Sequence, residues 1–179
     1  MVRETLDLSN IVFDALTQIF KPKEIYMKGK GGINNIVLFD EPVLIDREKS
    51  RYRILYSSMM VIKDDKPILA IEILQHKPTP PRDIVGPIPL YMISRKIVIN
   101  KENGKKQEYE LIDKDSKILL LVVIPEQPER GQKSLQINDL NEKFKGVLDL
   151  ESEYSNLKDF AICEINDLKP VLNKLLEKN

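Results

Sequence analysis

The spacing of apolar positions changes character along the chain. Between residues 7 and 20, Leu8, Ile11, Val12, Ala15, Leu16 and Ile19 recur every three or four residues, which is one face of an α-helix. Asp7 or Ser9 is available as its N-cap, and Pro22 closes it. From residue 52 the period falls to two. The runs YRILYSSMMVI (52–62) and PILAIEILQ (67–75) flank KDDK and predict an antiparallel hairpin turning on Asp64 and Asp65. In that register Lys63 pairs with Lys66 and Glu72 lies opposite Ser57, so that Ala70 and Glu72 share a face with Met59 and Val61. Both faces are largely apolar, which predicts central strands covered on both sides.

Further along, HKPTPPRDIVGPIP (76–89) carries five prolines in 14 residues and reads as a covering or boundary loop, too broken for a helix. LYMISRKIVIN and KQEYELID flank KENGK, whose Asn103-Gly104 pair is a type I′ hairpin signal. KILLLVVIP is a further buried strand expected to complete an antiparallel ladder. INDLNEKFKGVL predicts a short helix, DFAICEI a last strand, and NDLKPVLNKLLEK a C-terminal helix with Asp167 as N-cap and Pro170 tolerated in its first turn. KGKGGINN (28–35) is a flexible basic loop without the spacing of a phosphate-binding loop. The order of elements gives an α+β (mixed α/β) class. A central mostly antiparallel or mixed sheet is built on hairpins, with an N-terminal and a C-terminal helix packed on it.

Composition narrows the function classes. At 179 residues, with 42% hydrophobic and 31% charged positions, the chain suits one folded domain over 1–179. Twenty-eight basic residues offset 28 acidic ones, so no global field draws it to nucleic acid or anionic lipid. The balance is uneven, with 17 basic and 10 acidic residues in 21–106 against 10 and 15 in 107–179, which leaves the basic region 21–106 as a nucleic-acid candidate. One cysteine and one histidine exclude an intramolecular disulfide and a tetrahedral zinc site, and Cys163 reads as a buried, inert thiol. No apolar leader and no run of membrane-spanning length is present, so a cytoplasmic protein with no membrane association is expected. The absence of Trp and the Lys/Glu/Ile richness are compatible with a thermophilic source. No G-x-S-x-G elbow and no G-x-G-x-x-G after a strand is present, which leaves acyl-transfer and dinucleotide chemistry without support.

One residue stands out chemically. Glu72 is a carboxylate in the middle of an apolar strand, a position that is costly unless the group is paired. It is open as a metal ligand, as a structural ion-pair partner of Arg53 or Lys77, or as an exposed residue on a half-covered sheet. His76 follows four residues on, about 13 Å away at about 3.3 Å per strand residue, too far to share an ion with Glu72 on a straight strand. Asp46, Glu48 and Asp83 flank the hairpin and are the remaining acids near it in sequence.

A helix followed by a hairpin whose second strand reads KPILAIEIL resembles the PD-(D/E)xK nuclease superfamily, the restriction-endonuclease-like fold, with its DUF2726-like and Uma2-like branches. The resemblance covers roughly residues 5–95, with a β-hairpin and C-terminal α/β extension over 96–179. It implies Glu72 as family acid and Mg²⁺ ligand, Asp46 as a candidate second ligand, and Lys77 as a migrated catalytic lysine. A hard divalent ion takes carboxylate oxygens and supplies the hydroxide and charge neutralisation that phosphodiester hydrolysis needs. The family's partner acid belongs near Ser57 or Ser58 and its lysine at Leu74, and none of these positions carries the required group. The expectation is therefore a degenerate, non-catalytic interaction or regulatory module, with protein partners or self-association. A Mg²⁺-dependent nuclease is the other reading.

Overall fold

The computed structural model describes residues 7–41, 53–75, 79–111, 114–126 and 137–178. In chain order they form α1 (Leu8–Thr17), β1 (Ile25–Met27), β2 (Ile33–Phe39), β3 (Arg53–Ser57), β4 (Met59–Lys63) and β5 (Lys66–Ile73). Then come α2 (Pro81–Val85), α3 (Pro87–Ile93), β6 (Lys96–Lys101), β7 (Lys106–Glu110), β8 (Ile118–Ile124), α4 (Ile137–Val147), β9 (Leu157–Glu164) and α5 (Leu168–Glu177). The strands make a five-stranded sheet, ordered β1-β4-β5-β8-β9, and a four-stranded sheet, ordered β3-β2-β6-β7. This is the expected α+β class, and no helix of the described residues is long and apolar enough to cross a membrane.

The larger sheet is buried on both faces. Its seven-residue strand β8 is buried at every position, as a continuous apolar run in a covered sheet must be. One face carries Met59, Val61, Leu69, Ile71, Leu121 and Val123 and packs against the apolar stripes of the terminal helices. Those stripes are Val12, Ala15 and Leu16 of α1 and Leu168, Leu172 and Leu175 of α5, at helical spacing. The other face carries Met60, Ala70, Leu120, Val122 and Phe160, and meets the inner side of the smaller sheet together with Ile84, Ile88 and Tyr91 of α2 and α3.

The hairpin turns where the period places it. Lys63 pairs with Lys66, and both Asp64 (φ 50°) and Asp65 (φ 63°) adopt the left-handed backbone that a two-residue type I′ turn requires. Replacing Asp64-Asp65 by Asn-Gly should raise stability by about 0.5–1 kcal/mol in urea denaturation, because these residues accept positive φ more readily. Two features of the hairpin differ from the expected register. A one-residue bulge between Val61 and Ile62 sets Val61 against Leu69 and Met60 against Ala70. A one-residue slip moves side chains to the opposite face, so Ala70 and Glu72 share a face with Met60 and Ile62 rather than with Met59 and Val61. The run 52–62 is also not one strand, since it breaks at Ser58, with β3 in the smaller sheet and β4 in the larger. The polar pair Ser57-Ser58 marks the break, and apolar residues on both sides of it let the run read as one strand.

Other corrections have similarly local causes. The proline-rich stretch holds two short helices, with Pro81 and Pro87 at their first positions, where a missing N–H costs nothing. LYMIS accordingly finishes α3, and the strand starts only at Lys96. KILLLVVIP is parallel to β5 and β9, not part of an antiparallel ladder. The chain between β5 and β8 passes through α2, α3, β6 and β7, and a crossover of that length permits parallel pairing. Residues 28–35 are a loop only as far as Gly32, after which β2 begins. In the β6–β7 turn Gly104 alone of the Asn-Gly pair has positive φ, and its N–H donates to Lys101 O at 3.0 Å, which gives a three-residue loop rather than type I′.

Candidate functional site

Glu72 lies near the end of β5 on the face that meets α3, with only 6% of its surface accessible. Three hydroxyls surround it. Tyr91 Oη of α3 contacts Glu72 Oε1, and Ser58 Oγ donates to Oε2 at 3.3 Å. Tyr91 Oη also lies 2.7 Å from Ser57 Oγ, which in turn donates to Met59 O at 2.9 Å. Ser58 Oγ accepts the N–H of Ile73 at 3.1 Å, so a side chain satisfies the backbone group just beyond the last β4–β5 pair, Met59 with Ile71. The cluster thus ties β5 to α3 at the point where the chain leaves the smaller sheet and enters the larger.

Two hydroxyl protons, those of Ser57 and Tyr91, serve three contacts in this chain. Met59 O can only accept, so the Ser57 proton goes to it, and the contact between Tyr91 and Ser57 must use the Tyr91 proton. In the contact between Tyr91 and Glu72, an ionised carboxylate accepts from Tyr91 Oη, and a protonated one can donate to it. Neutral Glu72 satisfies every link, whereas ionised Glu72 leaves one oxygen pair without a hydrogen. Electrostatics agree. Burial pushes the Glu72 carboxyl up from 4.5 to about 7, against smaller opposing effects of the Tyr91, Ser58 and Ser57 hydroxyls and the Ser58 backbone. Burial likewise raises the Tyr91 phenol well above its ordinary value, with the nearby Glu72 charge adding to it.

The other sequence candidates do not join this cluster among the described residues. Asp46, Glu48, His76 and Lys77 lie outside the described residues. Asp83 sits in the first turn of α2, 3.5 Å from Arg82 in a largely exposed pair. Arg53 donates to Tyr56 Oη at 2.5 Å and stacks over its ring instead of pairing with Glu72. Cys163 is buried, its thiol pushed up to about 12 by burial first and by Asp167 and Glu164 second. Tyr91 is the partner that sequence reading missed. Its signal was the three-residue spacing from Ile88 after a Gly-Pro helix start, which a strand reading of LYMIS obscures.

The implied Mg²⁺ does not fit this donor set. Both Glu72 oxygens are committed to hydroxyls, its proton is retained up to about neutral pH, and no group of three or more His, Cys, Asp or Glu residues assembles among the described residues. The arrangement pins three elements together. The chain matches no family model, no curated protein and no solved structure.

Proposed function

We propose that the chain is a non-catalytic interaction or regulatory module, cytoplasmic, on a degenerate nuclease-like fold. The observation that carries this reading is the company Glu72 keeps: neutral hydroxyls occupy both of its oxygens, where a nuclease needs a second acid and a lysine. An N-terminal helix and a hairpin with the acid on its second strand support the kinship, with β1, β2 and β3 between them. A module of this kind acts through its surface, by a protein partner or self-association, with the basic region 21–106 as the side for nucleic acid. The apolar stripe of α5 is already buried on its own sheet, whereas β7 ends the smaller sheet and pairs on one side only.

Calorimetric titration with Mg²⁺ and Mn²⁺ tests the proposal, together with incubation of plasmid DNA and RNA with each metal. The expected outcome is no saturable heat and no cleavage, with self-association or a co-purifying partner in light scattering. Metal-dependent cleavage that Glu72→Gln abolishes would instead favour the nuclease reading with Glu72 as ligand, and Asp46→Asn and Lys77→Gln would then test the other two candidates.

A further inference from the structure

Five lysines converge on one cleft of about 740 Å³, a volume within the range that holds a nucleotide-sized molecule. Lys63 and Lys66 close the β4–β5 hairpin, Lys21 follows α1, Lys117 precedes β8, and Lys158 lies in β9. The cleft opens at the edge of the larger sheet where β5, β8 and β9 begin. Its apolar wall includes Ile19 and Phe20 from the end of α1 and Leu176 of α5, and Ile19 is left 44% exposed there.

Two carboxylates, Glu24 and Asp115, stand against the five ammonium groups in the lining. Glu24 already accepts the backbone N–H of Lys21 at 2.9 Å. Lys117 is turned to the carbonyls of Leu150 and Ser152, both at 2.9 Å, and contributes charge rather than a donor. Lys21, Lys63 and Lys66 make no ion pair among the described residues. Lys63 and Lys66 are direct cross-strand partners, an arrangement of like charges that destabilises a strand pair. The turn acids Asp64 and Asp65 are not part of the lining, and an anion in the cleft would offset repulsion between the two lysines.

We infer that this cleft binds an organic di- or triphosphate, with its phosphates on Lys21, Lys63 and Lys66 and its apolar or aromatic body against Ile19, Phe20 and Leu176. Lysine meets phosphate as a compact point charge, and several phosphate charges match several ammonium groups better than a lone carboxylate does. The inference goes beyond the reading of Glu72 and is independent of it, because Glu72 is not in the lining.

Titration calorimetry with ATP in the absence of metal, and with inorganic tripolyphosphate, tests it at low and physiological salt. ATP should bind at one site about 10-fold more tightly than tripolyphosphate, as burial of a base on the apolar wall requires. Both ligands should weaken about 10-fold or more in the double variant Lys63→Gln/Lys66→Gln. They should be unchanged in Lys143→Gln/Lys174→Gln, whose lysines are exposed and outside the cleft. Thermal melts establish that both variants fold, since all four side chains are exposed. Equal affinity for the two ligands would overturn the apolar wall. Equal weakening in both variants, or no saturable heat at millimolar ligand, would overturn the site.

Discussion

Glu72→Gln should stay within about 1 kcal/mol of the parent at about pH 5 and become more stable than it by about 3 kcal/mol at about pH 8. The folded carboxyl keeps its proton up to about 7, while the ordinary value that applies to the unfolded chain is 4.5. A proton held more tightly by the folded state stabilises that state. The contribution is fully present below about pH 4.5, shrinks as pH rises, and is lost above about pH 7. At about 1.4 kcal/mol for each pH unit of that window, the total is about 3 kcal/mol. Glutamine has the shape of the protonated acid. Its amide donates to Tyr91 Oη, Tyr91 still donates to Ser57, and the amide oxygen still accepts from Ser58, so each link of the chain persists without a titrating group. Among the described residues the titratable partner in contact is Tyr91, whose own value lies far above this range. Urea denaturation of both proteins across pH 5–8 reads the effect. A parent whose stability rises through that window, or a Glu72→Gln protein that is already several kcal/mol weaker at pH 5, would show that Glu72 is ionised in the fold.

The sequence made the elements legible where burial leaves a regular period. The stripe from Leu8 to Ile19 marks α1, the uninterrupted run from Ile118 to Ile124 marks a central strand, and KDDK marks the turn. It concealed the features that depend on what lies across from a residue. The bulge between Val61 and Ile62 leaves the apolar pattern intact, because the larger sheet is covered on both faces and every register buries something apolar, and the change of sheet at Ser58 is marked only by two serines. The candidate site was half visible for the same reason. An acid in an apolar strand announces Glu72, and the hairpin register comes within one residue of its true neighbour, Ser58. Tyr91 arrives from 19 residues away on a helix that five prolines made hard to recognise, and no local pattern links the two.

Specificity in this core depends on a few polar atoms. Among the buried polar residues, Ser57 and Glu72 belong to one cluster, while Lys96 pairs with Glu108 at 2.6 Å on the smaller sheet. Buried Asn156 donates to Ser94 O at 2.5 Å just after α3, so directional contacts anchor that helix at the start of β9 as well as at Glu72. The lysine cleft lies at the opposite end of β5 from Glu72.

Tyr91→Phe isolates the hydroxyl from the ring, and it should cost about 1–3 kcal/mol at about pH 5. The ring, wholly buried among Ile84, Ile88 and the sheet faces, keeps its packing in this variant. What disappears is the one acceptor for the Glu72 proton and the one donor to Ser57 from that side. A buried donor left without a partner costs more than the same hydrogen bond contributes, which is why the effect exceeds that of an average hydroxyl. Tyr91→Ala should cost about 3–5 kcal/mol in total, because it adds a cavity to the lost bonds. The pH profile separates the two parts. In Tyr91→Phe the ionised carboxylate has also lost a donor, so the Glu72 carboxyl moves further up and stability keeps falling beyond about pH 7, where the parent has levelled off. In Tyr91→Ala water admitted by the cavity solvates the carboxylate, and the profile should flatten as the absolute stability drops. If Tyr91→Phe were neutral at pH 5, the hydroxyl chain from Glu72 to Met59 would not hold this junction, and the packing of the ring alone would position α3.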